Sequence, residues 1–155
     1  AFSGSKRRFQ FIGEDRSVRI YDDYAHHPTE LKTTLEGIKA SFDGRLICVF
    51  QPHRFSRTLH LLDDFTTVFD AADDVVITEV FSPVGEETVE FSSEKIVENL
   101  KLYGHTSATF VANKAEVVPL LLPQLKANDI VVTMGAGDIT HLSKELLYQL
   151  KESGS

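Results

Sequence analysis

The sequence holds a single cysteine, Cys48. That excludes an intramolecular disulfide framework and fits a reducing compartment. No apolar run approaches the ~20 residues needed to span a bilayer. The opening AFSGSKRRF lacks the apolar stretch of a secretion signal, so the expected location is the cytoplasm. Basic residues are outnumbered, 16 against 23 acidic, and the net charge is −7. This argues against a general nucleic-acid-binding role, which rests on a basic surface. Low-complexity tracts and internal repeats are also absent. What remains is ordinary for a soluble domain: 155 residues, 42% hydrophobic and 25% charged. A chain of this length buries roughly 70% of its unfolded surface and needs no metal or disulfide staple.

The hydrophobic period switches repeatedly along the chain. RRFQFIG and SVRIYDD alternate in part around Gly13-Glu14-Asp15-Arg16, which reads as an opening β-hairpin. Pro28 sits where a helix begins, followed by Leu31, Leu35 and Ile38 at helical spacing, fading near Ala40. Four strand–helix pairs follow. The expected strands are RLICVF (45–50), DVVITEV (74–80), 106–111 and DIVVTMG (from Asp129). The expected helical stripes are Leu59, Leu62, Phe65 and Phe69; then 93–102; then 115–125; then 139–150. Pro119 and Pro123 predict a kink or a break in the third of these. The closing SGS is expected to be a tail. Alternating elements of this kind predict an α/β fold, a mainly parallel sheet covered on both faces.

In such sheets ligands bind beyond the carboxyl ends of the strands, which directs attention to three polar segments. In Asp22-Asp23-Tyr24-Ala25-His26-His27-Pro28, a carboxylate can accept from ribose hydroxyls. An imidazole there can donate to an anion beside a helix start. The structural alternative is that an aspartate only ends a strand and His27 only caps the helix. Adjacent histidines without further ligands at recognised spacing argue against zinc. In Gln51-Pro52-His53-Arg54-Phe55-Ser56-Arg57-Thr58, two guanidinium groups three residues apart form a carboxylate or phosphate clamp. Two cations at a helix start oppose its dipole, which a purely structural role does not explain. Met134-Gly135-Ala136-Gly137-Asp138 is a glycine turn with Thr140 where a third glycine would complete a dinucleotide fingerprint. Its glycines are expected to allow close approach of backbone to a neighbour or ligand, and Asp138 to cap the last helix.

Taken together, KRRF, YDDYAHHPTE, FQPHRFSRT and MGAGDI resemble the Mur ligases, ATP-dependent amide-forming enzymes of peptidoglycan synthesis. His27 and the PHRFSRT stretch are specific to the alanine-adding branch. The resemblance covers nearly the whole chain and matches the C-terminal domain of a three-domain enzyme. The phosphate loop that the family carries in its central domain is absent from this sequence. The resemblance implies a Rossmann-like, six-stranded sheet with one antiparallel strand. It implies linker or tag at 1–5, a domain at 6–152 and a tail at 153–155. It implies UDP-N-acetylmuramate, L-alanine and ATP as substrates, and Mg2+ held mainly by the central domain. It also implies a bacterial cytoplasmic location and the central ATPase domain as partner. Matched by position, Asp23 would bind the ATP ribose, and His26, Arg54 and Arg57, with less support His53, the alanine substrate. His27, Gly135 and Gly137 would be neighbours, and none of these residues need act as nucleophile or base. The alternatives are the muropeptide-recycling ligase of the same family, a self-contained nucleotide-binding module, or a receiver-type signalling module. The last requires a phosphoacceptor aspartate where Glu79 stands.

Overall fold

The computed structural model describes residues 8–82 and 91–153. Lys6, Arg7, the expected linker at 1–5 and residues 154–155 lie outside the described residues. The chain opens with β1 (Gln10–Asp15) and β2 (Val18–Asp23), paired antiparallel. The turn is not centred on Gly13 and Glu14, which both lie within β1. It is made by Arg16 (φ 49°) and Ser17 (φ 62°). Two successive positive φ values give the turn twist that matches a right-handed hairpin. Gly13 instead follows a bulge at Ile12, since the register shifts between Phe11 and Gly13.

Next come α1 (Pro28–Ser41), β3 (Leu46–Phe50), α2 (Phe55–His60), β4 (Asp74–Thr78) and α3 (Glu94–Leu102). They are followed by β5 (Ala108–Val111), α4 (Val117–Leu121), β6 (Ile130–Met134) and α5 (Thr140–Ser153). The sheet order is β1-β2-β6-β3-β4-β5, parallel except for the first pair. Strands β3, β4 and β6 are buried almost throughout, because helices cover both faces. On one face Leu31, Leu35 and Ile38 of α1 pack with Phe65, Phe69, Ile96 and Leu100 over Cys48, Phe50 and Ile77. On the other, Val117, Leu121, Leu142, Leu146 and Leu150 pack over Ile20, Ile47, Val49 and Val131.

Two expected helices differ. The stripe Leu59–Phe69 is not one helix: α2 ends at His60 and a 3-10 turn spans Leu62–Thr66. Leu59 is consequently 47% exposed while Phe65 and Phe69 are buried. The proline-bearing segment breaks into α4 flanked by 3-10 turns at Lys114–Glu116 and Leu122–Gln124. Pro119 and Pro123 deny that segment a continuous hydrogen-bond ladder. At the end, α5 runs through Ser153, whose Oγ accepts from Arg16 Nη2 at 2.7 Å. The helix therefore passes one residue beyond the expected tail boundary.

Candidate functional site

The crossover from β2 through α1 to β3 leaves a gap in the sheet that β6 fills last. The carboxyl ends of β2, β6 and β3 are therefore neighbours, and the three polar segments leave the sheet side by side. Asp23 pairs with Met134, and Phe50 pairs with Met134 on its other side. The strand order alone thus assembles residues that lie more than a hundred positions apart in the chain.

The first segment divides its roles. Asp22 is fully buried, accepting from Thr133 Oγ1 at 2.7 Å and Thr140 Oγ1 at 2.9 Å. It ties the end of β2 to the start of α5. Asp23 is 3% exposed; its carboxylate accepts from Ala25 N at 2.9 Å and Thr34 Oγ1 at 3.2 Å. Burial pushes the Asp23 carboxyl above its usual range, against hydrogen bonds from Ala25, Thr34 and the Phe9 backbone and the charge of Arg8. The Phe9 ring stacks on Tyr21 at 4.4 Å, so the entering chain lies over this strand. His27 is the N-cap of α1: Nδ1 accepts from Thr29 N, while Glu30 accepts from the His27 backbone. The capping alternative therefore describes His27.

His26 faces the second segment. Its ring lies 5.3 Å from Tyr24 and 6.2 Å from His53, and His53 stacks on Phe81 at 5.6 Å. This aromatic row crosses the ends of β2, β3 and β4. Phe81 also grips the backbone of the arginine segment: its N–H donates to Pro52 O, and its carbonyl accepts from Arg54 N–H, both at 2.8 Å. Arg54 has φ 71°, a left-handed conformation that non-glycine side chains rarely adopt. Backbone strain held in place by surrounding bonds is characteristic of functional loops.

Only Arg54 stands at the helix start, where it opposes the dipole; the expected conflict does not extend to Arg57. α2 has six residues, so Arg54 caps it and Arg57 already falls in its last turn, where a cation is favoured. What distinguishes the pair is different. Both arginines are exposed, and neither guanidinium makes a hydrogen bond or ion pair among the described residues. Arg16, Arg19 and Arg45, by contrast, each pair with a carboxylate.

The glycine turn is occupied by protein. Gly135 has φ 148°, and a Cβ there would lie 2.7 Å from the Gln51 carbonyl oxygen. A Cβ on Gly137 would lie 2.6 Å from Phe81 Cγ and 2.7 Å from Gln51 Oε1. Asp138 does not cap α5 with its side chain; that carboxylate accepts from Gln51 Nε2 at 2.9 Å and pairs with Lys114 Nζ at 3.2 Å. Burial alone would raise its pKa, but the bonds from Gln51 and Lys114 and the Lys114 charge hold it below the usual range.

Beside the turn, Gln51, Glu79, Phe81, Asn113, Lys114 and Asp138 line a cleft of about 290 Å3. A larger hollow of about 500 Å3 lies at the opposite end of the sheet, between Arg19, Gly44 and Asn128. No candidate residue reaches that hollow. Glu79 is saturated: it accepts from Val80 N (2.9 Å), Ser93 N (3.0 Å) and Ser92 Oγ (2.8 Å), with Ser93 Oγ at 3.0 Å. A carboxylate so engaged does not present itself as a phosphoacceptor. Gln51, Glu79 and Phe81 line the cleft beside the turn, and none of the three is among the ligand-contacting candidates expected from the sequence. The one available signal was a polar residue directly after a fully apolar strand.

The family model described as "Mur ligase, glutamate ligase domain" matches residues 7–137. The chain belongs to the Mur ligase C-terminal domain family. This Mur ligase domain is 40% identical over 151 residues to UDP-N-acetylmuramate–L-alanine ligase of Myxococcus xanthus (strain DK1622). The match covers 97% of this chain and 32% of that protein. The chain thus spans about a third of the length of the curated relatives it matches. The solved UDP-N-acetylmuramate-alanine ligase of Thermotoga maritima superposes with TM-score 0.77 at 28% identity, covering 95% of this chain and 30% of that one. A murein peptide ligase of Psychrobacter arcticus gives TM-score 0.79 at 27% identity, covering 97% and 31%. Both carry a domain with the fold described above.

Proposed function

We propose that this Mur ligase domain is the amino-acid-binding, C-terminal part of an ATP-dependent ligase that joins L-alanine to UDP-N-acetylmuramate. The observation that carries the reading is that Arg54 and Arg57 are exposed, with guanidinium groups unpaired among the described residues, in the segment that follows His53, whose ring lies 6.2 Å from that of His26. Two planar five-donor groups and an imidazole suit the carboxylate of a free amino acid. In the reaction, the muramyl carboxylate takes the γ-phosphoryl group of ATP and becomes an acyl phosphate. The alanine amine then attacks the acyl carbon, an amide forms and inorganic phosphate leaves. The contribution of this domain is to hold the amine in line, which is a proximity effect. His53, Gly135 and Gly137 support the clamp from behind, and His27 fixes the start of α1.

Asp23 receives the ATP ribose in this reading. Its low exposure means that the Arg8–Phe9 segment must shift for a hydroxyl to reach the carboxylate. Among the described residues no group of three or more His, Cys, Asp or Glu side chains is placed to hold a metal ion. Mg2+ and the ATP phosphates are assigned to the central domain, and no step here runs through the metal. The partner of the domain is then that central domain, and the enzyme works in the bacterial cytoplasm. The test is ligation by the complete enzyme, with L-alanine and a murein tripeptide offered in parallel. Preference for alanine supports the reading; preference for the tripeptide makes the chain part of a murein peptide ligase.

A further inference from the structure

Gln51 is the first residue beyond β3, 3% exposed, and its chain runs directly into Pro52, His53 and Arg54. Its side chain turns the other way, toward the β6–α5 connection. Nε2 donates to Asp138 Oδ1 at 2.9 Å, and Oε1 accepts from Ile139 N–H at 3.2 Å. A backbone N–H can only donate and an ionised carboxylate only accept, so the amide has one workable orientation. Its backbone is fixed as well, with its N–H donating to Met134 O at 3.0 Å.

The glycine turn is built around this residue. Gly135 clears the Gln51 carbonyl, and Gly137 clears both Gln51 Oε1 and the Phe81 ring. Phe81 in turn holds the Arg54 N–H and stacks on His53. An unbroken series of contacts therefore runs from Asp138 through Gln51, Gly137 and Phe81 to His53 and the strained backbone of Arg54. Movement of the turn away from Gln51 would remove the packing behind Phe81.

We propose that Gln51 is a positioning residue for the alanine carboxylate clamp, locking the β3 exit to the glycine turn by the polarity of its hydrogen bonds to Asp138 and Ile139. The inference deepens the proposed function and rests on its reading of Arg54. Gln51→Glu is nearly isosteric, but it sets a carboxylate against that of Asp138 and removes the donor. Asp138→Asn alone is mild, since the asparagine oxygen can still accept from Gln51; it mainly weakens the half-exposed Lys114 pair. Combined, the two substitutions restore a matched pair with polarity reversed. The carboxylate introduced at position 51 then accepts from both the amide introduced at position 138 and the Ile139 N–H.

The experiment is this double-mutant cycle in the complete ligase, reading KM for alanine, KM for ATP and thermal melts. Gln51→Glu should raise the alanine KM at least about ten-fold, with the ATP KM within about two-fold of wild type. Asp138→Asn should stay within about three-fold, and the double variant should return to that level in both KM and melting temperature. A double variant no better than Gln51→Glu overturns the proposal. So does an ATP KM that rises as far as the alanine KM, the mark of a merely structural residue. Wild-type enzyme that refuses alanine refutes the proposed function instead. The cycle is then read on the amino substrate that the enzyme does use, and the melts score the pairing without any substrate.

Discussion

Replacing Glu79 by alanine removes a carboxylate that ties the end of β4 to the start of α3. Its oxygens accept from the Val80 and Ser93 backbone N–H groups and from the Ser92 hydroxyl. Ser93 is fully buried, and Val80 is 8% exposed, so water reaches neither N–H freely. The Ser93 hydroxyl keeps its other acceptor, Thr78 O at 2.6 Å. Two buried donors lose their partner, at roughly 1–3 kcal/mol each, and partial exposure of Glu79 brings the sum to about 2–4 kcal/mol. For a domain this size that is a fall in melting temperature of roughly 5–15 °C. Glu79→Gln separates charge from shape. Burial would raise the Glu79 pKa, but the four donors outweigh it and hold the carboxyl below its ordinary 4.5. A depressed carboxyl contributes stability that is present above the unfolded value and lost as the pH falls through the folded one. The advantage of wild type over Glu79→Gln should therefore be full at pH 7 and shrink below about pH 4.5. Circular-dichroism melts from about pH 3 to about pH 7 read both effects. A Glu79→Ala loss below about 2 °C, or an advantage that grows on acidification, would refute the reasoning.

Asp23→Asn removes a buried charge whose carboxyl is pushed upward, so wild type loses stability as the pH rises from 3.8 through the raised value. The asparagine variant should gain on wild type in melts at about pH 7 relative to about pH 3.5, and in the complete enzyme should raise the ATP KM more than it lowers kcat. Gly137→Ala puts a methyl against Phe81 Cγ and Gln51 Oε1. It should raise the alanine KM about ten-fold or more while leaving ATP binding measured by calorimetry within about two-fold.

The frame was legible in the sequence because burial on both faces writes itself as short apolar runs. RLICVF and DVVITEV contain β3 and β4, although β4 stops at Thr78, two residues short of the expected end. Pro28, sitting at the first helical position, announced α1. Leu59 misled because four apolar residues at helical spacing do not reveal that α2 ends at His60 and the chain tightens. The hairpin turn lies beyond the glycine that suggests it, because Arg16 and Ser17 adopt the positive φ values while Gly13 flanks a bulge. At the site, the segments were visible but their internal wiring was not. The separation of Gln51 from Asp138 is 87 residues, and only the insertion of β6 between β2 and β3 brings them together. The G-x-G spacing signalled close approach correctly, yet what approaches is Gln51 and Phe81. Arg54 and Arg57 stand out in the sequence for a dipole conflict that the short α2 confines to Arg54; that both are exposed and unpaired among the described residues is visible only in three dimensions.

The alanine clamp is tested most directly by Arg54→Ala and Arg57→Ala in the complete ligase, with alanine kinetics and melts measured on the same samples. A charge-assisted bond to a carboxylate is worth roughly 1.5–3 kcal/mol, which is about ten- to a hundred-fold in binding. Each substitution should raise the alanine KM by that factor. The melting temperature should stay within about 2 °C, since neither guanidinium is paired among the described residues. An unchanged alanine KM accompanied by a large fall in melting temperature would contradict the account.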